Sequence, residues 1–308
     1  MFCEMTPAIG TSVHRLTPDR WILGSSTVCE RSKTTNPIGA IVTWRDGEDT
    51  FCLRKLPKRD HPLPNHKLEA GLIHESGTSA AVWSLGPNTF CKVKAWCEEL
   101  EAESDTISFV KNIAPSIPLP DVVYSWIDHD WNRSFLILKR VEGETLQDAW
   151  SQLSVAQKSG IASQIATYCS TLSWITSPSF ESATHRGVLE PFLALDAESN
   201  HPSWKPRPLG PFSVADFTSY ISQLPSTRCL DIGTRFHFYH ADLGPGNIMV
   251  RDNKVVGILD WESAGFYPRC WIALKPTLSA GFFLRSTVQT EKVAWRNLLG
   301  KMLEKEGF

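Results

Sequence analysis

Apolar and polar positions along this chain change rhythm several times. From Leu72, LIHESGTSAAVWSLGPNTFCKVKAW alternates apolar with polar residues around a Gly-Thr-Ser turn and a Pro-Asn turn, which predicts a three-stranded meander. EELEAESDTISFVKNIAP then shows helical spacing at Leu100, Ile107 and Val110 and stops before Pro115. IPLPDVVYSWIDHDWNRSFLILKRV returns to two strands joined by an Asp-x-Asp turn. Five strands and one helix predict a sheet lobe over residues 71–142.

After EGETL, where Thr145 is placed to cap a helix, LQDAWSQLSVAQKSGIASQIATYCSTLSWI carries apolar residues at three-to-four spacing. A Pro-rich loop, NHPSWKPRPLGPF, separates it from a second helical stretch, SVADFTSYISQL, and TEKVAWRNLLGKMLEK reads as a closing amphipathic helix. Residues 143–308 therefore read as a mainly helical lobe, joined to the first near Lys139–Gly143. Residues 1–70 show one strand-like run, Ala40–Trp44, among Pro-rich and charged punctuation, and are expected to form an extension with little regular structure. The fold class expected is α+β.

Between Phe236 and Phe266 two or three short strands are interrupted by His240, Asp242, Asn247, Asp260 and Glu262. Polar groups among buried strands cost several kcal/mol unless they find partners. Asp, Asn, Gly and Pro are also ordinary turn formers, and each of these residues taken singly is explained that way. The set is harder to explain so: HADLGPGN is followed, thirteen residues after its Asn, by Asp260 at the end of an apolar strand. Phosphoryl transfer needs a carboxylate to position an acceptor hydroxyl and hard oxygen ligands for magnesium. Asp242 fits the first need, Asn247 and Asp260 the second, and His240 is expected to hold the loop in shape.

The composition changes little in this picture. The chain of 308 residues is 42% hydrophobic and 21% charged, enough to bury a substantial core. A net charge of -2 without a basic block argues against nucleic acid or an acidic membrane face as partner. The opening MFCEMTPAIG lacks a secretory pattern and no apolar run approaches membrane-spanning length, so a cytoplasmic protein is expected. Eight scattered cysteines without a Cys-x-x-Cys pair read as reduced thiols, and His237, His240 and Cys229 lack the spacing of a zinc site.

HADLGPGN with ILDWE resembles the signature of the aminoglycoside phosphotransferase and choline kinase superfamily, a branch of the protein-kinase-like fold, and is closest to its fungal-type members. The resemblance runs from about Ile73 to Pro276. It implies an enzyme using ATP and Mg2+ to phosphorylate a hydroxyl of a small metabolite, with a two-lobed architecture. Asp242 is implied as catalytic base, Asn247 and Asp260 as metal ligands, and Glu262 as an accessory acid beside them. ESGTSAAVW stands in the place of the phosphate loop, where Gly77, Thr78 and Ser79 could offer backbone N–H groups; Ala80 stands where the family often has Asn.

Lys92 and Lys94 lie two apart and face one side of a strand, and either could bind the α- and β-phosphates; a solvated lysine pair is the plain alternative. Glu103 is the candidate acid to pair with that lysine, with Glu99 and Glu101 as competitors. The resemblance further implies that the adenine ring bonds backbone groups near Lys139–Val141, with Gly143 letting the chain turn. Arg269 and Ile272 replace acids common in similar sequences, which points away from a strongly cationic acceptor, and Gly244 replaces a lysine kept by protein kinases. The alternative reading is a catalytically inactive kinase-like protein that binds a nucleotide or a partner.

Overall fold

The computed structural model describes residues 8–32, 37–56, 71–197, 201–202, 204–224 and 231–308. Cys229, considered above as a zinc ligand, lies outside them, as do parts of residues 1–70 and of the Pro-rich loop. The chain divides into two compact units, one of residues 1–97, 121–140 and 200–206 and the other of 98–120, 141–199 and 207–308.

The first unit is built on two antiparallel sheets. One comprises β1 (Val13–Thr17), β2 (Arg20–Leu23), β3 (Thr27–Ser32), β4 (Val42–Asp46) and β5 (Asp49–Lys55), in the order β1-β2-β3-β5-β4. This corrects the expectation of an extension with little regular structure. Its strands are short, and their outer faces carry charges that pair across the ladder: Arg20 with Glu30 at 3.2 Å, Arg54 with the same Glu30 at 3.5 Å, and Arg31 with Asp19 and Asp49. In sequence such residues look like punctuation; across paired strands they are neighbours.

The other sheet holds β6 (Leu72–Ser76), β7 (Ala80–Gly86), β8 (Thr89–Ala95), β9 (Val122–Asp128) and β10 (Arg133–Lys139), in the order β6-β7-β8-β10-β9. The two sheets share one core, with Trp21, Leu23, Cys29, Phe51 and Leu53 from the first and Trp83, Leu85, Cys91, Val93 and Ile137 from the second. Each sheet also caps a turn of the other. Asp46 accepts the Asn88 N–H at 3.0 Å, and Asp128 accepts the Ser25 N–H at 2.6 Å. Because Cys91 and Val93 turn into this core, strand alternation places Phe90, Lys92 and Lys94 on the opposite face of β8.

The second unit begins with α1 (Glu103–Ile113), which clusters here and not with the sheets among which it lies in sequence. After the two-residue β11 (Glu144–Thr145), Thr145 caps the short α2 (Leu146–Ala149). The capping box of Ser154 and Gln157 opens α3 (Val155–Ser173), which buries Ile161, Ile165, Cys169 and Leu172. Then come β12 (Thr176–Ser177), β13 (Ser179–Phe180), β14 (Phe212–Ser213) and α4 (Val214–Ile221), the last capped by Ser213. An aromatic knot of Phe180, Phe217, Phe236 and Tyr267 packs beneath, with Phe180 and Phe217 stacked at 4.6 Å.

The polar-interrupted stretch divides between two small sheets. Its first strand, β15 (Phe236–Tyr239), pairs with β12 and with β18 (Gly265–Tyr267), while β16 (Ile248–Arg251) and β17 (Lys254–Ile258) form the hairpin, joined by β11. The unit ends with α5 (Arg269–Leu278), α6 (Gln289–Lys292) and α7 (Ala294–Lys305). The closing helix expected from sequence is thus interrupted at Val293.

Candidate active site

The loop between β15 and β16 carries His240, Asp242 and Asn247, and Asp260 follows β17. His240 is 1% exposed. One ring nitrogen, Nε2, lies 3.0 Å from the Leu259 carbonyl and Nδ1 lies 3.2 Å from the Asp242 N–H, so the partners assign a neutral ring that donates from Nε2 and accepts at Nδ1. It ties the loop to the residue that follows β17. Ala241 and Asp260 are both left-handed, at φ 64° and 65°, a conformation costing about 1 kcal/mol for a residue with a Cβ.

Asn247 Nδ2 donates to both the carbonyl and Oδ2 of Asp242, at 3.0 and 2.9 Å. Its amide is thereby oriented, with Oδ1 turned away from Asp242. The Asn247 carbonyl accepts the Leu259 N–H at 2.8 Å, which joins the loop to the strand leading into Asp260. Behind the loop, Trp295 Nε1 donates to the Leu243 carbonyl at 3.0 Å and the Gln147 N–H donates to the Pro245 carbonyl. A Cβ at Gly244 would collide with the Gly281 carbonyl oxygen, so packing excludes any side chain there, lysine included.

Burial raises the pKa of Asp242, and the Asp260 charge raises it further; Lys275 and the Asn247 donor pull it down, while Glu190 adds to the rise. Lys275 and Glu190 form a buried ion pair, 5% and 2% exposed, with Nζ 2.5 and 2.6 Å from the two carboxylate oxygens. Trp271 Nε1 and the Phe192 N–H complete the coordination of Glu190. This pair escaped the sequence reading because its members are 85 residues apart and neither stands in a recognisable motif.

Of the three acids considered as partners for the strand lysine, Glu103 is the one brought to Asp260 and Glu262. Its Oε1 accepts the Trp261 N–H at 3.1 Å, and one ligand oxygen each of Glu103, Asp260 and Glu262 lie within 4.8 Å of one another. Glu101 is spent elsewhere, on Thr106 and on the N–H and hydroxyl of Thr184, and Glu99 is exposed. The Asp242–Asn247 pair adjoins the group of Glu103, Asp260 and Glu262 through Asp260, whose charge acts on Asp242.

In the first unit, Gly77, Thr78 and Ser79 form the turn between β6 and β7, with Gly77 at φ 52°. Ser79 commits both its N–H and its hydroxyl to the Ser76 carbonyl. Lys94 pairs with Ala80 and Ser134, and Lys92 with Val82 and Leu136. The N–H groups of Lys139 and Arg140 are taken by the carbonyls of Asp121 and Asn88.

Two departures read from sequence as bearing on the acceptor have structural employment. Arg269 donates to the Gly307 carbonyl at 2.7 Å and stacks over Phe308, and Ile272 is 0% exposed.

A sheet-bearing unit, a mainly helical unit and a loop-plus-strand cluster of Asp, Asn and Asp describe a phosphotransferase. The chain belongs to the phosphotransferase enzyme family, whose model matches residues 43–271. That span takes in β4 and β5 of the first sheet, while β1–β3 precede it. Nothing among curated proteins matches. Among solved structures the chain is similar to a thermostable mutant of aminoglycoside phosphotransferase APH(4)-Ia in apo form, at 16% identity and TM-score 0.48, covering 77% of this chain and 78% of that one. It is also similar to APH(2")-IIa in a ternary complex with streptomycin and ATP, at 15% identity, TM-score 0.46 and 76% coverage of each. ADP-bound APH(2'')-Ib follows at 16% identity, TM-score 0.41 and 76% coverage of each.

Proposed function

We propose that this protein is an ATP- and magnesium-dependent kinase of a small hydroxyl-bearing metabolite, of the fungal-type branch its motifs resemble. The observation that carries the reading is the grip of Asn247 on one oxygen of Asp242, with Asp260 close enough to raise the Asp242 pKa. That arrangement leaves Asp242 Oδ1 for an acceptor hydroxyl and Asn247 Oδ1 for a cation.

The donor set fits magnesium. Asp260, Glu262 and Glu103 supply carboxylate oxygens within 4.8 Å of one another and Asn247 an amide oxygen, all hard ligands. When bound, magnesium neutralises charge on the phosphate oxygens. Asp242 orients the acceptor and takes its proton as the bond to phosphorus forms, and His240 holds the loop that presents it.

Nucleotide contacts fall to the first unit. Register favours Lys94 over Lys92 as the phosphate lysine. Lys94 stands opposite Ala80, the first residue after the Gly77–Ser79 turn, and the adjoining Ala95 N–H donates to the Ser79 carbonyl. Gly77 and Thr78 are the N–H donors assigned to phosphate, since that of Ser79 is already committed. Lys92, flanked by Val82 and Leu136, lies where the sheet is apolar enough to underlie a base. Along Lys139–Val141, the N–H assigned to adenine is that of Val141, because the other two already have partners.

Two variants test the reading. Asp242→Ala is expected to bind MgATP with wild-type affinity in a calorimetric titration and to lose turnover by about 10²-fold or more in a coupled ADP assay. Asp260→Ala is expected to lose metal-dependent nucleotide binding. Wild-type turnover in Asp242→Ala would remove Asp242 from the role of base.

A further inference from the structure

The second oxygen of the Asp242 carboxylate has one distinctive neighbour. Asn247 holds Oδ2, whereas Oδ1 faces Gly281 in the 3-10 turn Ala280–Phe282 that follows α5. A Cβ built on Gly281 would stand 3.3 Å from Asp242 Oδ1 and 3.2 Å from Ser279 Oγ, and among the described residues no other heavy atom beyond its chain neighbours comes within 4 Å. Gly281 is not among the left-handed glycines, so backbone conformation does not demand the residue. Both distances are tighter than ordinary contact, so a side chain at Gly281 would crowd the two oxygens, and its absence leaves a narrow notch whose rim at Ala280 and Gly281 is exposed, while Asp242 is partly buried and Ser279 buried.

The notch offers complementary chemistry. Ser279 Oγ accepts the Gly281 N–H at 3.1 Å, which leaves its own proton to donate. An ionised Asp242 Oδ1 can only accept. One wall therefore donates and the other accepts, as an alcohol oxygen needs. The close seating of Gly244 on the Gly281 carbonyl holds the turn directly against the loop that carries Asp242.

We propose that Ser279 and the side-chain-free Gly281 complete, with Asp242, the seat of the acceptor hydroxyl and select an unhindered alcohol. The proposal rests on the phosphotransfer reading above. In the step itself, the alcohol oxygen accepts the Ser279 O–H hydrogen bond and forms a bond to the γ-phosphorus of ATP. The bond from that phosphorus to the β,γ-bridging oxygen breaks, ADP leaves with the electron pair, and the alcohol proton passes to Asp242 Oδ1. Branching next to the reacting carbon would press on the turn at Gly281.

The test uses the full chain with MgATP, water and ethylene glycol as acceptors, and nucleotide affinity measured in parallel by calorimetry. Ser279→Ala is expected to lower kcat about fivefold, the factor that one neutral hydrogen bond confers, with unchanged nucleotide affinity. Ser279→Thr, which keeps the hydroxyl, is expected to restore the rate. Gly281→Val is expected to cut transfer to ethylene glycol about tenfold or more, whereas Ala280→Val at the exposed neighbour leaves it unchanged. If Gly281→Val does not fold, the comparison of Ser279→Ala with Ser279→Thr decides. A purely structural role for Ser279 predicts a lower melting temperature with wild-type turnover, and that result overturns the proposal. A wild type that binds MgATP yet never turns it over removes the phosphotransfer reading first, which is distinguishable from an active wild type with indifferent variants.

Discussion

Asp242 sits in an environment that works against its own charge. Burial and the neighbouring Asp260 raise its pKa, and the donors that oppose them leave the net direction upward. A carboxylate whose folded pKa lies above its unfolded value costs stability when ionised, fully so above the raised pKa, and the cost disappears as pH falls below the ordinary carboxylate range. Asp242→Asn is thus expected to melt higher than wild type at pH 8 in the absence of metal and nucleotide, with the gain shrinking toward about pH 4. Equal gains at both pH values would show that the carboxylate charge is not the cause. The identities of His240, Asp242, Asn247, Asp260 and Glu262 were readable because their offsets repeat a motif. Nothing in sequence announced Glu190 and Lys275, whose buried pairing depends on α5 meeting a distant turn.

At the scale of elements, the first sheet is the largest gain over the sequence. Phe51 is fully buried in the core it shares with the second sheet and stacks on Trp44 at 5.6 Å. Phe51→Ala is expected to cost about 3–5 kcal/mol in denaturant unfolding, as cavity-forming aromatic truncations do. Ile38→Ala, at a residue 94% exposed, is expected to stay within about 0.5 kcal/mol. A mild effect at Phe51 would mean that the first sheet is not integral to that core. The meander β6–β8 and the helix α1 were legible because their signals are local: alternation around tight turns, and three-to-four spacing ended by a proline. In the first sheet only β4 was foreshadowed, by the run Ala40–Trp44; β1–β3 and β5 were not, since β3 pairs with β5 across an intervening strand and the charges that interrupt the pattern meet only across paired strands.

For the whole molecule the decisive measurement is linkage. MgATP at about 100 times its dissociation constant is expected to stabilise the protein by about 2.7 kcal/mol, seen as a rise in melting temperature. Chelating the magnesium should abolish that rise, and Asp260→Ala should not show it at all; a rise indifferent to the chelator would remove magnesium from the proposed site. Among the described residues no helix is long and apolar enough to cross a membrane. Sequence alone determined the motif residues and the phosphotransferase resemblance, because each rests on short-range order, residue types at set offsets; the expected boundary at residues 142–143 gave way to a division that moves α1 into the second unit. Tertiary structure decided that Glu103 joins Asp260 and Glu262, that Arg269 reaches the Gly307 carbonyl while Ile272 is buried, and that Gly281 and Ser279 border Asp242. Those outcomes depend on segments far apart in the chain meeting at atomic distance, and spacing along a sequence does not encode that meeting.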